Sequence, residues 1–115
     1  MDSKQIYMRF LNLIHALDSG TDAPQMDLDA KKLLEVVSVR HDLGKPLTVT
    51  EAMALNHIAS PATIHRKLDQ LRELGMIDTV FEGKNRRTKF LVPTQAAQSY
   101  FNAVGQAMKD AVAQH

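Results

Sequence analysis

The sequence contains no cysteine, which excludes a disulfide framework and any metal site built from thiolates. No apolar run approaches the length that a membrane-spanning helix needs. The first ten residues lack the charged and then apolar layout of a secretory signal peptide. From these absences we predict a cytoplasmic protein that has no membrane partner.

A large excess of one charge is also absent, because the formal net charge is only +1. The distribution of charge is more informative than its sum. Positions 60–89 hold seven Lys or Arg against four Asp or Glu, whereas the rest of the chain holds seven against nine. This concentration of positive charge favours a nucleic-acid-binding surface in that segment.

The length of 115 residues, with 44% hydrophobic and 23% charged residues, predicts a single globular domain over 1–115. Apolar residues at helical spacing predict one helix over 3–17 and a second over 27–42 that Gly44 ends. Asp27 is the expected N-cap of the second helix.

The middle of the chain predicts two short elements in succession. Residues 47–49 are expected to form a short strand, and a helix of about two turns is expected to follow from Thr50. Residues 56–59 then supply the turn before the next helix. A helix and a turn before a second helix is the arrangement that a helix-turn-helix motif requires.

Residues 60–92 hold the most informative pattern of the chain. Ser60 and Pro61 are typical of a helix start, and Gly75 of a helix end. Four leucine and isoleucine residues predict one buried stripe on this helix, at Ile64, Leu68, Leu71 and Leu74. Strands are expected over 76–81 and 88–92 around a basic turn at 82–87, after which Pro93 breaks the strand and Thr94 caps a last helix.

This order of elements predicts a mainly α fold with a small β wing, a winged helix-turn-helix with additional N-terminal and C-terminal helices. We assign residues 26–93 to a DNA-binding core. Residues 1–25 and 94–115 are expected to form dimerisation helices. Their apolar sides, which include Phe10 and Phe101, are larger than so small a domain covers by itself. A two-fold homodimer would place two recognition helices about 34 Å apart, at successive major grooves.

The candidate DNA-binding residues fall into two groups. If the leucine stripe faces the core, the first half of helix 60–74 faces outward, which is the end that meets base edges in helix-turn-helix proteins. We expect this half to contact the major groove through Ser60, Ala62, Thr63, His65 and Arg66. Wing residues 82–89 are expected to contact the flanking groove or backbone through Lys84, Arg86 and Arg87. Each group alone has a simpler explanation, a good helix cap or an exposed turn, and their adjacency favours DNA.

No feature of the sequence predicts an enzyme, a metal site or a cofactor. The five histidines are dispersed, and only His41 with Asp42 forms a close pair of metal-ligand type, without further ligands in sight. We find no nucleophile elbow, phosphate-binding glycine loop or supported pair of carboxylates.

The sequence resembles the MarR (multiple antibiotic resistance regulator) family over roughly residues 33–105. The matching residues are Thr48 to Ala52, Ser60 to Arg66 with Leu68 and Leu71, Leu74 to Ile77, Asn85 to Thr88, and Pro93 with Thr94. The resemblance implies a dimeric bacterial or archaeal transcription regulator whose terminal helices form the dimer. It also implies that a small-molecule effector could bind, since some members bind phenolic ligands. The chain departs from the family where Asn85 replaces the usual Asp before the two arginines, and where residues 94–97 lack an early Gly.

Three functions therefore stay open at this point. The first is a sequence-specific double-stranded DNA-binding transcription regulator. The second is a protein-interaction module on a winged-helix scaffold, which the near-neutral net charge and the acids Asp69 and Glu73 favour slightly. The third is a sensor whose small-molecule ligand loosens DNA binding, an inference from the resemblance alone.

Overall fold

A computed structural model describes residues 2–84 and 86–113 of the chain. Asn85, at which the wing departs from the MarR pattern, lies outside the described residues. Within these ranges, five helices and one two-stranded antiparallel sheet confirm the predicted winged-helix fold class. In chain order these are α1 (Ser3–Asp18), α2 (Leu28–Asp42), α3 (Val49–Met53), α4 (Pro61–Glu73), β1 (Ile77–Phe81), β2 (Lys89–Pro93) and α5 (Gln95–Ala113).

The helix starts lie where short polar side chains can bind free backbone N–H groups. Asp27 accepts from the backbone N–H of Ala30 at 2.9 Å, which confirms it as the N-cap of α2. Thr94 caps α5 as predicted, since its hydroxyl accepts from the backbone N–H of Ala97 at 3.2 Å. At the other end of α2, Gly44 has a φ of 76°, a left-handed conformation that favours glycine.

The prediction for residues 47–55 is wrong in two respects. The expected strand is reduced to one isolated bridge, between Thr48 and Phe90. The helix begins at Val49, not Thr50, and has five residues, not two turns. The cause is a capping box, in which Thr48 caps the backbone N–H of Glu51 while Glu51 accepts from the backbone N–H of Thr48 at 2.9 Å. This backbone hydrogen bond lowers the pKa of Glu51.

The chain forms two compact units, within each of which the residues make most of their contacts in space. One unit contains residues 26–97, and the other contains residues 1–25 with 98–115. In the first unit, α4 packs against α2 and against α3. Its predicted residues Ile64, Leu68 and Leu71 are buried, and Leu33 and Leu34 of α2 are buried as well. This packing fixes which side of α4 faces outward.

Leu74 does not belong to the buried stripe, contrary to the prediction. It is 40% exposed and is the C-cap residue of α4, outside the helix proper. A spacing of three residues leaves each side chain about 60° behind the preceding one around the helix. Two such steps, from Leu68 to Leu71 and on to Leu74, turn Leu74 away from the core.

The wing is the antiparallel pair β1 and β2, in which Ile77 lies opposite Pro93 and Phe81 lies opposite Lys89. Pro93 was predicted to break the strand, but it is the last paired residue of β2, where its missing N–H is tolerated. The backbone N–H of Leu91 donates to the carbonyl of Leu47 at 2.8 Å, which joins the wing to the segment before α3.

The second unit consists of α1 and the part of α5 from residue 98 onward. The Tyr100 hydroxyl donates to the Asp18 carboxylate at 3.0 Å within this unit. All residues of α1 are described, and none of them is buried. Large apolar side chains of this unit are exposed, among them Tyr7, Met8, Met108 and Val112.

An ion pair joins the start of α2 to the middle of α4, and it makes stability depend on pH. Lys67 Nζ donates to Asp27 Oδ2, and this hydrogen bond lowers the pKa of Asp27. A lowered carboxyl pKa means that the stabilisation is complete at neutral pH and is lost as the pH falls through the folded-state pKa of Asp27.

We therefore expect Lys67→Met to lower the free energy of unfolding at pH 7 by about 0.2–1 kcal/mol, as for partly exposed ion pairs. The difference between variant and parent should be smaller at about pH 2, well below the ordinary aspartate pKa of about 3.9. Urea denaturation at the two pH values measures this. Lys32→Met, at an exposed position of α2, is the control and should change little. An equal loss of stability at both pH values would contradict the assignment.

Candidate nucleic-acid interface

The N-terminal turn of α4 is held by hydrogen bonds that meet at one hydroxyl group. The backbone N–H of Thr63 donates to Ser60 Oγ at 3.3 Å, which makes Ser60 the N-cap. Thr63 Oγ1 accepts from the Ser60 hydroxyl at 3.0 Å and from Arg66 Nη2 at 3.1 Å. These contacts hold the guanidinium of Arg66 near the start of the helix.

The predicted major-groove residues lie on the outside of α4. Ser60, Ala62, His65 and Arg66 are exposed, and Thr63 is half-buried. At about 100° per residue, Arg66 points roughly 160° away from the buried Ile64. The side of the helix that the core leaves free is thus the side that the sequence pattern indicated.

Asp69 contacts two side chains on the same helix, an arrangement that the sequence analysis did not predict. Asp69 Oδ1 accepts from Arg72 Nη2 at 2.6 Å, and Asp69 Oδ2 lies 3.4 Å from His65 Nδ1. The sequence did contain a sign of this arrangement, because side chains three or four residues apart are neighbours on a helix and Asp69 has such spacings to Arg72 and His65.

The cations of the wing gather around an aromatic ring. Arg86 Cζ lies 5.4 Å and Lys89 Nζ 5.9 Å from the centre of the Phe81 ring, distances at which a cation is attracted to the ring face. Arg86 and Lys89 are exposed, as are Lys84 and Arg87. Phe81 thereby orients two positive charges without neutralising them.

Helix α4 and the wing border one open cleft of about 460 Å³ within the unit 26–97. Of the predicted site residues, His65 and Arg87 line it, one from each element. Ser60, Ala62, Thr63, Arg66, Lys84 and Arg86 are not among its lining residues. The lining consists of Thr48, Val49, Thr50, His65, Arg72, Thr79, Arg87, Thr88 and Lys89.

This composition suits a negatively charged partner. Arg72, Arg87 and Lys89 supply positive charge, and four threonine hydroxyls can donate hydrogen bonds. Neither Arg72 nor the four threonines of this cleft belonged to the predicted site. The threonines lie in separate elements, and isolated hydroxyl residues form no recognisable pattern in a sequence. The cleft, which we call the helix–wing cleft, can accept phosphate oxygens through cations and hydroxyls together.

The described residues show neither a metal site nor a membrane-spanning helix. No group of three or more His, Cys, Asp or Glu side chains in ranges 2–84 and 86–113 is placed to hold a metal ion. Within the same part of the chain, no helix is both long and apolar enough to cross a membrane.

Comparison with known proteins agrees with this architecture. No protein-family model matches the sequence, and no curated protein matches it. Solved structures do match, including a MarR-like transcriptional regulator from Thermotoga maritima with a TM-score of 0.63 and 17% identity. That match covers 97% of this chain and 79% of the other. The chain thus has the winged-helix fold of MarR-like regulators, and the predicted resemblance is confirmed at the level of the fold.

Two further structures extend the comparison. The YusO protein from Bacillus subtilis has a TM-score of 0.59 and 19% identity, over 96% of this chain and 70% of that one. The heme sensor PefR from Streptococcus agalactiae, solved with heme, has a TM-score of 0.59 and 15% identity. It is matched over 90% of this chain and 65% of its own. Identities this low establish a shared fold only.

Proposed function

We propose that this chain is a sequence-specific, double-stranded DNA-binding transcription regulator of MarR type. The observation that carries the proposal is the helix–wing cleft, to which α4 contributes His65 and the wing contributes Arg87. A winged helix needs these two elements on one surface, so that a helix enters the major groove while the wing reaches the flanking backbone. MarR-like transcriptional regulators share the fold, which supports the same function.

Within this proposal the two groups of residues have different tasks. Arg66 pairs with guanine O6 and N7, a contact that discriminates by about 1–3 kcal/mol. Ser60, Ala62, Thr63 and His65 complete the surface of α4 in the major groove. The wing contacts phosphates or the minor groove through Lys84, Arg86 and Arg87, and these contacts supply affinity more than sequence preference.

We also propose a cytoplasmic homodimer. The unit that contains α1 and the end of α5 exposes Tyr7 at 54%, Met108 at 57% and Val112 at 64%. Exposed apolar side chains on two amphipathic helices favour burial against a second copy. Sedimentation velocity measures the mass in solution. A monomer at the concentrations that bind DNA would overturn this part of the proposal.

The DNA-binding proposal is tested by an electrophoretic shift with genomic fragments at about 50 and 200 mM salt. We expect binding that weakens by about a thousandfold or more over this range if six or more phosphates are contacted. Fragments recovered from the bound fraction should share a sequence with two-fold symmetry. Failure to shift any fragment at the lower salt concentration would contradict the proposal.

A protein-interaction module remains the second candidate, and one observation favours it. Leu28, Val39 and Leu43 are between 58% and 68% exposed in or beside α2, where a protein partner could cover them. This candidate predicts no salt-dependent binding to any duplex, so the same shift experiment separates the two functions. A small-molecule effector is a further proposal from the resemblance, and the heme-bound neighbour shows that one protein of this fold binds such a ligand.

A further inference from the structure

A carboxylate occupies the surface of α4 that the proposed function directs toward DNA. The Asp69 side chain is 43% exposed, and its two oxygens face Arg72 at 2.6 Å and His65 at 3.4 Å. A small pocket that shares His65 and Arg72 with the helix–wing cleft is lined by Asp69 as well. A negative charge therefore lies among the cations that would meet a phosphate backbone.

Stabilisation of the fold does not explain this placement. Ion pairs three or four residues apart on an exposed helix contribute little to stability. Their effect on a polyanion is larger, because each cation that contacts a phosphate releases counterions and strengthens binding at low salt. Asp69 offsets the charge of Arg72 and engages one of its five N–H donors in a close charge-assisted hydrogen bond, so a phosphate must compete with the carboxylate for Arg72.

We propose that Asp69 is a specificity-determining residue of this DNA interface, and the inference rests on the proposed function. Asp69 competes with phosphates for Arg72 and repels them itself, so that duplexes without the correct sequence bind weakly. On the correct sequence a base-edge donor, such as the amino group of cytosine, can offset this cost by donating to the carboxylate. Asp69 thus lowers affinity for DNA in general more than affinity for the preferred site.

The variant Asp69→Asn tests the inference, because it keeps the shape of the side chain and one acceptor oxygen but removes the charge. Binding is measured by fluorescence anisotropy against a random-sequence duplex and against a fragment selected from genomic DNA. For the random duplex at about 50 mM salt we expect roughly tenfold tighter binding, the gain from one added phosphate contact. The slope of log affinity against log salt should steepen by about 0.9.

The selected fragment should gain less, so the ratio of the two affinities should fall several-fold. Unchanged or weaker binding of the random duplex, with an unchanged salt slope, would overturn the inference. If Asp69 only stabilises the helix, binding of the random duplex and its salt slope should stay unchanged in Asp69→Asn. The salt slope therefore distinguishes the two explanations.

Two further variants identify the freed cation. The double variant Asp69→Asn with Arg72→Gln should return the salt slope to the parent value, and a double-mutant cycle gives the coupling of the pair. Glu73→Gln removes a carboxylate from an exposed position of the same helix while the ion pair stays intact, and should leave the slope unchanged. An equal gain from Glu73→Gln would show a general charge effect and contradict the specific role of Asp69.

The proposed function and this inference fail in different ways. If the parent protein binds no duplex at about 50 mM salt, both the proposed function and the inference about Asp69 are contradicted. A parent that binds with a steep salt dependence, beside an Asp69→Asn variant with the same affinities and slope, ends the inference and leaves the proposed function standing.

Discussion

Arg66→Ala is expected to lower the preference for a selected DNA site by about 1–3 kcal/mol, while binding to random duplex changes little. The reason is the position of Arg66, exposed on α4 and held by Thr63 Oγ1 near the helix start. A guanidinium that reads O6 and N7 of guanine supplies about 1–3 kcal/mol of discrimination, which is roughly 5-fold to 150-fold in relative affinity. Competition between selected and random duplexes measures this ratio directly.

Arg87→Ala is the matched comparison, because it removes the same side chain from the wing side of the helix–wing cleft. It should weaken binding to every duplex by a similar factor and reduce the salt slope by about 0.9. Sequence preference should be kept. If both variants bind the selected site as tightly as the parent, the assignment of roles to α4 and the wing is wrong.

Leu71→Ala is expected to lower the free energy of unfolding by about 2–5 kcal/mol. Leu71 is fully buried, with an exposed fraction of 0%, in the helix that packs against α2 and β1. Its truncation removes apolar contacts and leaves a cavity, and native domains have only about 5–15 kcal/mol of stability to lose. Urea denaturation followed by circular dichroism measures the change.

Leu74→Ala is the control for this prediction, since the same residue type lies three positions further along the chain. Leu74 is 40% exposed, and its truncation should cost well under half as much as that of Leu71. A sequence pattern that puts both leucines in one buried stripe predicts equal losses. Equal losses in experiment would contradict the packing described for α4.

Much of the fold could be predicted because local chemistry determines it. Ser60 with Pro61 marks a helix start whatever the surrounding structure, and Asp27 does the same for α2. The turn glycines at 44, 75 and 83 all have positive φ angles, which few other residues adopt readily. The apolar residues over 76–81 and 88–92, on either side of a turn that contains Gly83, predict the antiparallel hairpin of the wing.

The errors arose where two local signals competed. Residues 47–49 have strand propensity, but Thr48 with Glu51 forms a capping box that starts the helix one residue earlier than predicted. At Leu74 the three-residue spacing suited a helical stripe, whereas the end of the helix at Glu73 left the side chain at the surface. In both places a helix terminus acted against the apolar pattern, and at Leu74 the drift of the side chains around the helix acted in the same direction.

The candidate site was predicted only in part, because its members come from different elements. Arg66 and Arg87 could be found from motifs, but the joining of Arg72, Arg87 and Lys89 in one cleft depends on how α4 packs against the wing. The cation contacts of Phe81 depend on the hairpin geometry in the same way. A winged helix also serves several functions, so the surface and not the fold is the basis of the DNA-binding proposal.

The central claim is that the outward side of α4 and the wing form one surface for double-stranded DNA. Its most direct test is an NMR titration of the ¹⁵N-labelled protein with a duplex of about 20 base pairs, two turns of DNA. We predict that amide signals of residues 60–66 and 86–89 change together while those on the exposed side of α2 stay in place. Changes confined to α2, or to only one of the two predicted segments, would contradict the claim.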